Sequence, residues 1–94
     1  MFSIKNNVAV ITGAGGVLGG SIAKSFVKAG AKVVAMDIRQ ENLEKSVKAL
    51  SAEGEVTGII GNVLDIPSLE KAAREIVNKW GSVDILVNIA GGNI

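Results

Sequence analysis

Two hydrophobic patterns alternate along the chain. The first is a short, unbroken apolar run: Val8-Ala9-Val10-Ile11, Val33-Val34-Ala35-Met36, Ile59-Ile60 and Ile85-Leu86-Val87. Runs of this kind suit strands buried on both faces, as in a parallel sheet. They predict strands at 8–11, 32–37, 56–61 and 83–88. The second pattern has helical spacing. Leu18, Ile22 and Phe26 recur at i, i+4, i+8 with Ala23 and Val27 beside them. Leu43, Val47 and Leu50 mark one face of a second helix, and Leu69, Ala72, Ala73, Ile76, Val77 and Trp80 form the stripe of a third. The punctuation agrees. Asn6-Asn7 suits a turn, because Asn tolerates left-handed backbone. Gly30 and Gly54 are helix stops. Asp65 is a good N-cap, and Pro67 sits in a first turn, where its missing N–H costs nothing.

The order is therefore β-α-β-α-β-α-β, with a helix in every connection, as parallel strands require. Right-handed crossovers put the helices on both faces. The expectation is an α/β chain, the first half of a doubly wound Rossmann fold, with four parallel strands in the order 3-2-1-4 and three helices. No internal repeat beyond the βα unit, no linker and no low-complexity segment breaks it, and 94 residues make one small domain. Strand four belongs in the middle of a complete sheet of this type. The 94-residue polypeptide alone is therefore expected to be marginal or to self-associate through that apolar edge.

Composition narrows the chemistry. Nearly half the residues are hydrophobic (48%), enough to fill a core. Ten basic and nine acidic residues leave a net charge of +1 without a basic run, so no nucleic-acid partner is expected. No apolar run reaches the roughly 18–20 residues of a membrane helix. The opening Met1-Phe2-Ser3-Ile4-Lys5 is unlike a secretory signal, and a cytoplasmic location is the expectation. Cysteine, histidine and tyrosine are all absent. Disulfides and thiolate chemistry are excluded, the commonest metal ligand is missing, and no metal site is expected.

The chemistry-bearing segment is Thr12-Gly13-Ala14-Gly15-Gly16-Val17-Leu18-Gly19-Gly20, between strand one and helix one. A helix N-terminus has unpaired N–H groups and about half a positive charge, and it attracts phosphate. Gly13 suits the tight turn, Gly16 the approach of a diphosphate, and Gly19 close packing of helix on strand. Asp37 lies 24 positions after Gly13, at the end of strand two. A carboxylate there can accept both hydroxyls of an adenosine ribose. It would also repel a 2′-phosphate, by about 4 kcal/mol for unit charges at 4 Å and an effective dielectric of 20. Arg39 offsets this by only about 0–1 kcal/mol if the pair is exposed. NAD is expected over NADP. Two other classes stay open on these residues: a non-catalytic nucleotide-binding module or inactive fragment, and another Rossmann enzyme such as a methyltransferase.

These residues resemble the short-chain dehydrogenase/reductase family. The resemblance rests on the Thr12-Gly13…Gly19 loop, the opening segment before it, Asn62-Val63 after strand three and Asn88-Ile89-Ala90-Gly91 after strand four. The match departs from the usual pattern in three places. The middle glycine is Gly16, with Val17 in its usual position. Asn62 replaces an aspartate, and Ile89 replaces an asparagine. The resemblance implies that Gly13, Gly15, Gly16, Val17, Leu18, Gly19, Asp37 and Ile38 line the cofactor. It puts Asn62 and Val63 at the adenine, has Asn88 tie strand four to its neighbours, and passes Ala90 and Gly91 beneath the cofactor. Gly15 to Gly20 together with Asn88 to Asn93 resemble, more narrowly, the D-mannonate oxidoreductases or fructuronate reductases.

The family works through a Ser-Tyr-Lys site in which tyrosine moves the proton while hydride moves to or from the nicotinamide. With no tyrosine, this chain is expected to hold no catalytic residue. Residues 1–94 are read as the NAD(P)-binding domain, cut before the catalytic half. The implied whole protein is a homo-oligomer, dimer or tetramer, acting on a small-molecule substrate.

Overall fold

The computed structural model describes residues 4–62 and 64–89. Its elements are β1 (Val8–Thr12), α1 (Val17–Lys28), β2 (Lys32–Asp37), α2 (Gln40–Ser51), β3 (Val56–Ile60), α3 (Ile66–Trp80) and β4 (Ile85–Asn88). All four strands are parallel, in the order β3-β2-β1-β4. Asn6 takes the left-handed backbone expected of it, with φ 68°, and Gly30 ends α1 with φ 90°. β4 begins with the hydrophobic run at Ile85, two residues into the expected span 83–88, and Asp84 just before it anchors the strand to β1. The Asp84 carboxylate accepts from the Val8 N–H at 2.8 Å, and the Asp84 N–H donates to the Val8 carbonyl at 2.9 Å.

The pleat of the strands divides the core into two layers. β1 and β2 pair in the register Ala9↔Val33, Val10↔Val34, Ile11↔Ala35. Odd-numbered residues therefore share one face and even-numbered residues the other. Ala9, Ile11, Val33 and Ala35 pack with Ala23 and Val27 of α1 and with Leu43 and Leu50 of α2. Val8, Val10, Val34, Met36 and Ile59 pack with Ala72 and Ile76 of α3. Ile11, Val33 and Val34 are fully enclosed, and each such side chain contributes about 1.5–3 kcal/mol through removal from water.

Three local expectations are corrected. The buried ridge of α1 is Gly19, Ala23 and Val27, one position on from Leu18, Ile22 and Phe26; Leu18 is 62% exposed. The small residues let the helix axis come close to the sheet, and the larger ones flank the contact. On α3 only part of the predicted stripe is covered: Ala72 and Ile76 are buried, whereas Leu69, Ala73 and Val77 face solvent. α3 meets the sheet along one narrow row, and Leu86 of β4 beside it is also exposed. Asp65 does occupy the N-cap position of α3, but its side chain makes no capping hydrogen bond.

This topology places the site. β2 and β3 lie to one side of β1 and β4 to the other, so the strand order reverses at β1. In doubly wound sheets a crevice opens there, beyond the C-terminal ends of the strands. The glycine loop leaves β1 at that point, and Asp37 ends β2 beside it.

Candidate functional site

The loop after β1 is built by contacts from three directions. Gly13 turns the chain with φ 69°, in the region that glycine occupies without cost. The Ala14 N–H donates to the Met36 carbonyl at 3.2 Å, and the Ser46 hydroxyl of α2 donates to the Ala14 carbonyl at 2.8 Å. The Gly16 N–H closes the turn on the Gly13 carbonyl at 3.1 Å. Gly16 is the N-cap of α1 in extended backbone, and no side chain caps the helix. The amides of Val17, Leu18 and Gly19 have no partner among the described residues. They form the unsatisfied donor end that any helix presents.

The glycines have different reasons to be glycine. A Cβ on Gly19 would collide with the Gly13 carbonyl, main chain against main chain. On Gly15 it would stand 2.8 Å from an Asp37 carboxylate oxygen and 3.0 Å from the Asn42 Cβ. On Gly16 it would meet nothing closer than an Arg39 nitrogen at 3.4 Å and the Gly13 carbonyl oxygen at 3.5 Å. Packing thus accounts for Gly15 and Gly19, and left-handed backbone for Gly13. The fold itself makes no demand for glycine at position 16.

Asp37 is 4% exposed and fully engaged. One carboxylate oxygen accepts the Gly15 N–H at 2.9 Å and the Arg39 Nη2 at 3.1 Å. The other accepts the Arg39 backbone N–H at 2.9 Å and the Arg39 Nε at 3.1 Å. Burial pushes the carboxyl pKa up. The hydrogen bonds from the Arg39 guanidinium, the Arg39 amide and the Gly15 amide, with the charge of Arg39, outweigh burial and hold it below its ordinary value. A depressed folded-state pKa contributes stability that is complete above the unfolded value of about 3.9 and is lost as pH falls through the folded value. Urea unfolding at neutral pH should therefore find Asp37→Asn less stable than the parent. That gap should close as the titration passes below about pH 4; a gap independent of pH would show that the charge of Asp37 contributes nothing.

The remaining expected positions are dispersed around this centre. Val17, Leu18 and Ile38 are among the large apolar residues left exposed, at 95%, 62% and 60%. Asn62 follows β3; its N–H donates to the Ser68 hydroxyl at 3.0 Å, and its side-chain oxygen accepts the Leu64 N–H at 2.9 Å. Asn88 ends β4, where its side-chain oxygen accepts the Thr12 hydroxyl at 2.7 Å; the same hydroxyl accepts the Ile89 N–H at 3.0 Å. Val63, Ala90 and Gly91 lie outside the described residues. The structure adds Thr12 as the clamp between β1 and β4, Ser46 as the support of the loop, and Arg39 as the partner of Asp37. Sequence offers a signal for Arg39, a charge two residues from Asp37, and none for Ser46, which reaches the loop from 32 positions away.

Among the described residues no group of three acidic, histidine or cysteine side chains could hold a metal, and no helix is long and apolar enough to cross a membrane.

Comparison with known proteins gives a consistent result. The family model for short chain dehydrogenase matches residues 7–94. An uncharacterized oxidoreductase, UxuB, of Bacillus subtilis is 37% identical over 92 residues, covering 97% of this chain and 33% of the relative. The L-sorbose reductase of Gluconobacter frateurii, solved with NADPH and L-sorbose, superposes with a TM-score of 0.90 at 30% identity, over 95% of this chain and 35% of that one. A short chain dehydrogenase/reductase of Burkholderia phymatum, solved with NAD, gives 0.86 at 32% identity, over 92% and 31%. The chain spans about a third of the length of the relatives it matches. None of these relatives supports the narrower likeness to mannonate or fructuronate enzymes.

Proposed function

Because the chain belongs to the short-chain dehydrogenase family, we propose that it is the dinucleotide-binding part of an oxidoreductase that interconverts an alcohol and a ketone with NAD in preference to NADP. Gly16 is the observation that carries this reading. It caps the open donor end of α1, and among the described residues nothing stands nearer than an Arg39 nitrogen at 3.4 Å to the place a Cβ would take there. A glycine that the fold does not require, beside unpaired amides, fits a diphosphate that must approach the backbone closely.

The residues present fit the cofactor. The Val17, Leu18 and Gly19 amides would hold the diphosphate, and Asp37 would hold the adenosine ribose. Val17, Leu18 and Ile38 offer exposed apolar surface at the same end of the sheet. The nicotinamide, when bound, exchanges hydride with the substrate carbon. The 94 residues contain no tyrosine, so their part is to bind and orient. By themselves they are proposed to be inactive. The substrate class is a small carbinol or carbonyl compound. The preference for NAD rests on Asp37: a 2′-phosphate would stand against a buried carboxylate already held in its charged form. An isolated methyltransferase-type reading has no observation in its favour.

Isothermal titration of the protein, at the length its gene encodes, with NAD and with NADP tests this. NAD is expected to bind at least about tenfold more tightly, a difference of about 1.4 kcal/mol. Tighter binding of NADP would refute the preference, and no heat with either would refute the reading.

A further inference from the structure

We propose that Arg39 is a latch on the cofactor site, which must swing off Asp37 before the ribose can be gripped. The inference rests on the reading of Asp37 as the ribose-binding carboxylate, and it follows from counting lone pairs. An ionised carboxylate has about four acceptor positions. Asp37 uses all four: the Gly15 amide and Arg39 Nη2 on one oxygen, the Arg39 amide and Nε on the other. In this arrangement no position remains for a ribose hydroxyl.

The four donors are not equally fixed. Two are backbone amides, held by the glycine loop and by the turn into α2. The other two belong to one guanidinium, whose side chain is 55% exposed and reaches Asp37 across two residues. Rotation of that one side chain frees one position on each oxygen, the two that a vicinal diol can fill. The guanidinium also lies over the glycine loop, with Nη2 at 3.4 Å from the place where a Cβ on Gly16 would stand. Arg39 thus covers the sugar grip and borders the diphosphate seat together. It keeps the buried carboxylate paired until a ligand replaces it, and ligand binding has to displace it.

A latch and a structural prop differ in the sign of one effect. Losing a prop loosens the site and weakens the ligand; losing a latch strengthens it. Arg39→Met keeps an unbranched stem and removes the charge and the guanidinium donors. Calorimetry with NAD and with ADP-ribose is expected to show about fivefold tighter binding of both, equivalent to about 1 kcal/mol of ion pairing no longer in competition. Arg39→Lys, a compact charge without the two-pronged fork, is expected to fall between. NAD lacking the 2′-hydroxyl on its adenosine ribose should gain less from Arg39→Met than NAD itself. If NAD binds the parent and Arg39→Met leaves that affinity within twofold or weakens it, the latch is overturned while the cofactor reading stands. If neither protein binds NAD or ADP-ribose, the cofactor reading falls and the latch falls with it.

Discussion

Gly19→Ala is expected to destabilise the protein by about 3 kcal/mol, the upper part of the range for overpacking a core. The new methyl would run into the carbonyl group of Gly13, with the Ala14 Cα only 3.1 Å away. None of these atoms is the end of a flexible side chain that could turn aside. Either α1 moves off the sheet or the loop moves off β2. The first separates Ala23 and Val27 from the strands they cover, and the second breaks the bond from the Ala14 N–H to the Met36 carbonyl. Thermal unfolding followed by circular dichroism checks this. A variant that melts within a few degrees of the parent would show that the helix can shift without cost.

Gly16→Ala, three positions away, is expected to do the opposite. Its methyl meets only ordinary contacts, and the backbone at φ −89° suits any residue. The folded state should lose no more than about 1 kcal/mol, the cost of alanine at an N-cap. NAD binding, in contrast, should weaken about tenfold to a hundredfold. That is the scale of losing one charge-assisted hydrogen bond of about 1.5–3 kcal/mol, as the methyl holds the diphosphate away from the α1 amides. Calorimetry on a variant whose melting curve matches the parent is the measurement. Unchanged affinity would mean that the diphosphate does not pass over Gly16, and the observation on which the proposed function stands would be lost.

The two glycines are indistinguishable as letters and opposite in consequence. Their spacing after an apolar run was enough to mark a strand, a tight turn and a helix start. It also suggested Gly19 for close helix packing and Gly16 for open space. The structure adds the contact that separates them, the Gly13 carbonyl against Gly19. Which ridge of α1 is buried was not legible. Leu18, Ile22 and Phe26 are the larger residues and suggest the buried face. The helix instead settles on Gly19, Ala23 and Val27, because a closer approach to the sheet buries more of both surfaces.

The candidate site divides along the same line. Asp37 was legible from its place at the end of a predicted strand, a set distance after the loop. That its carboxylate is saturated was not: three donors come from Arg39 two residues on, but the fourth, the Gly15 amide, reaches it from 22 positions away once β1 and β2 lie side by side. Ser46 and Asp84 were invisible for the same reason: each acts on a residue far away in the chain, Ser46 on the Ala14 carbonyl and Asp84 on the Val8 amide.

The amino-acid order alone determined the succession of strands and helices, the parallel sheet with its order 3-2-1-4, and the point after β1 where the strand order reverses. These follow from hydrophobic period, turn residues and the handedness of crossovers, all properties of neighbouring residues or of the chain's chirality. Tertiary structure decided which ridge of α1 is buried, and that Gly15, Ser46 and Asp84 reach Asp37, Ala14 and Val8. Those are distances between segments that meet only when the sheet closes, and short-range pattern carries no information about them.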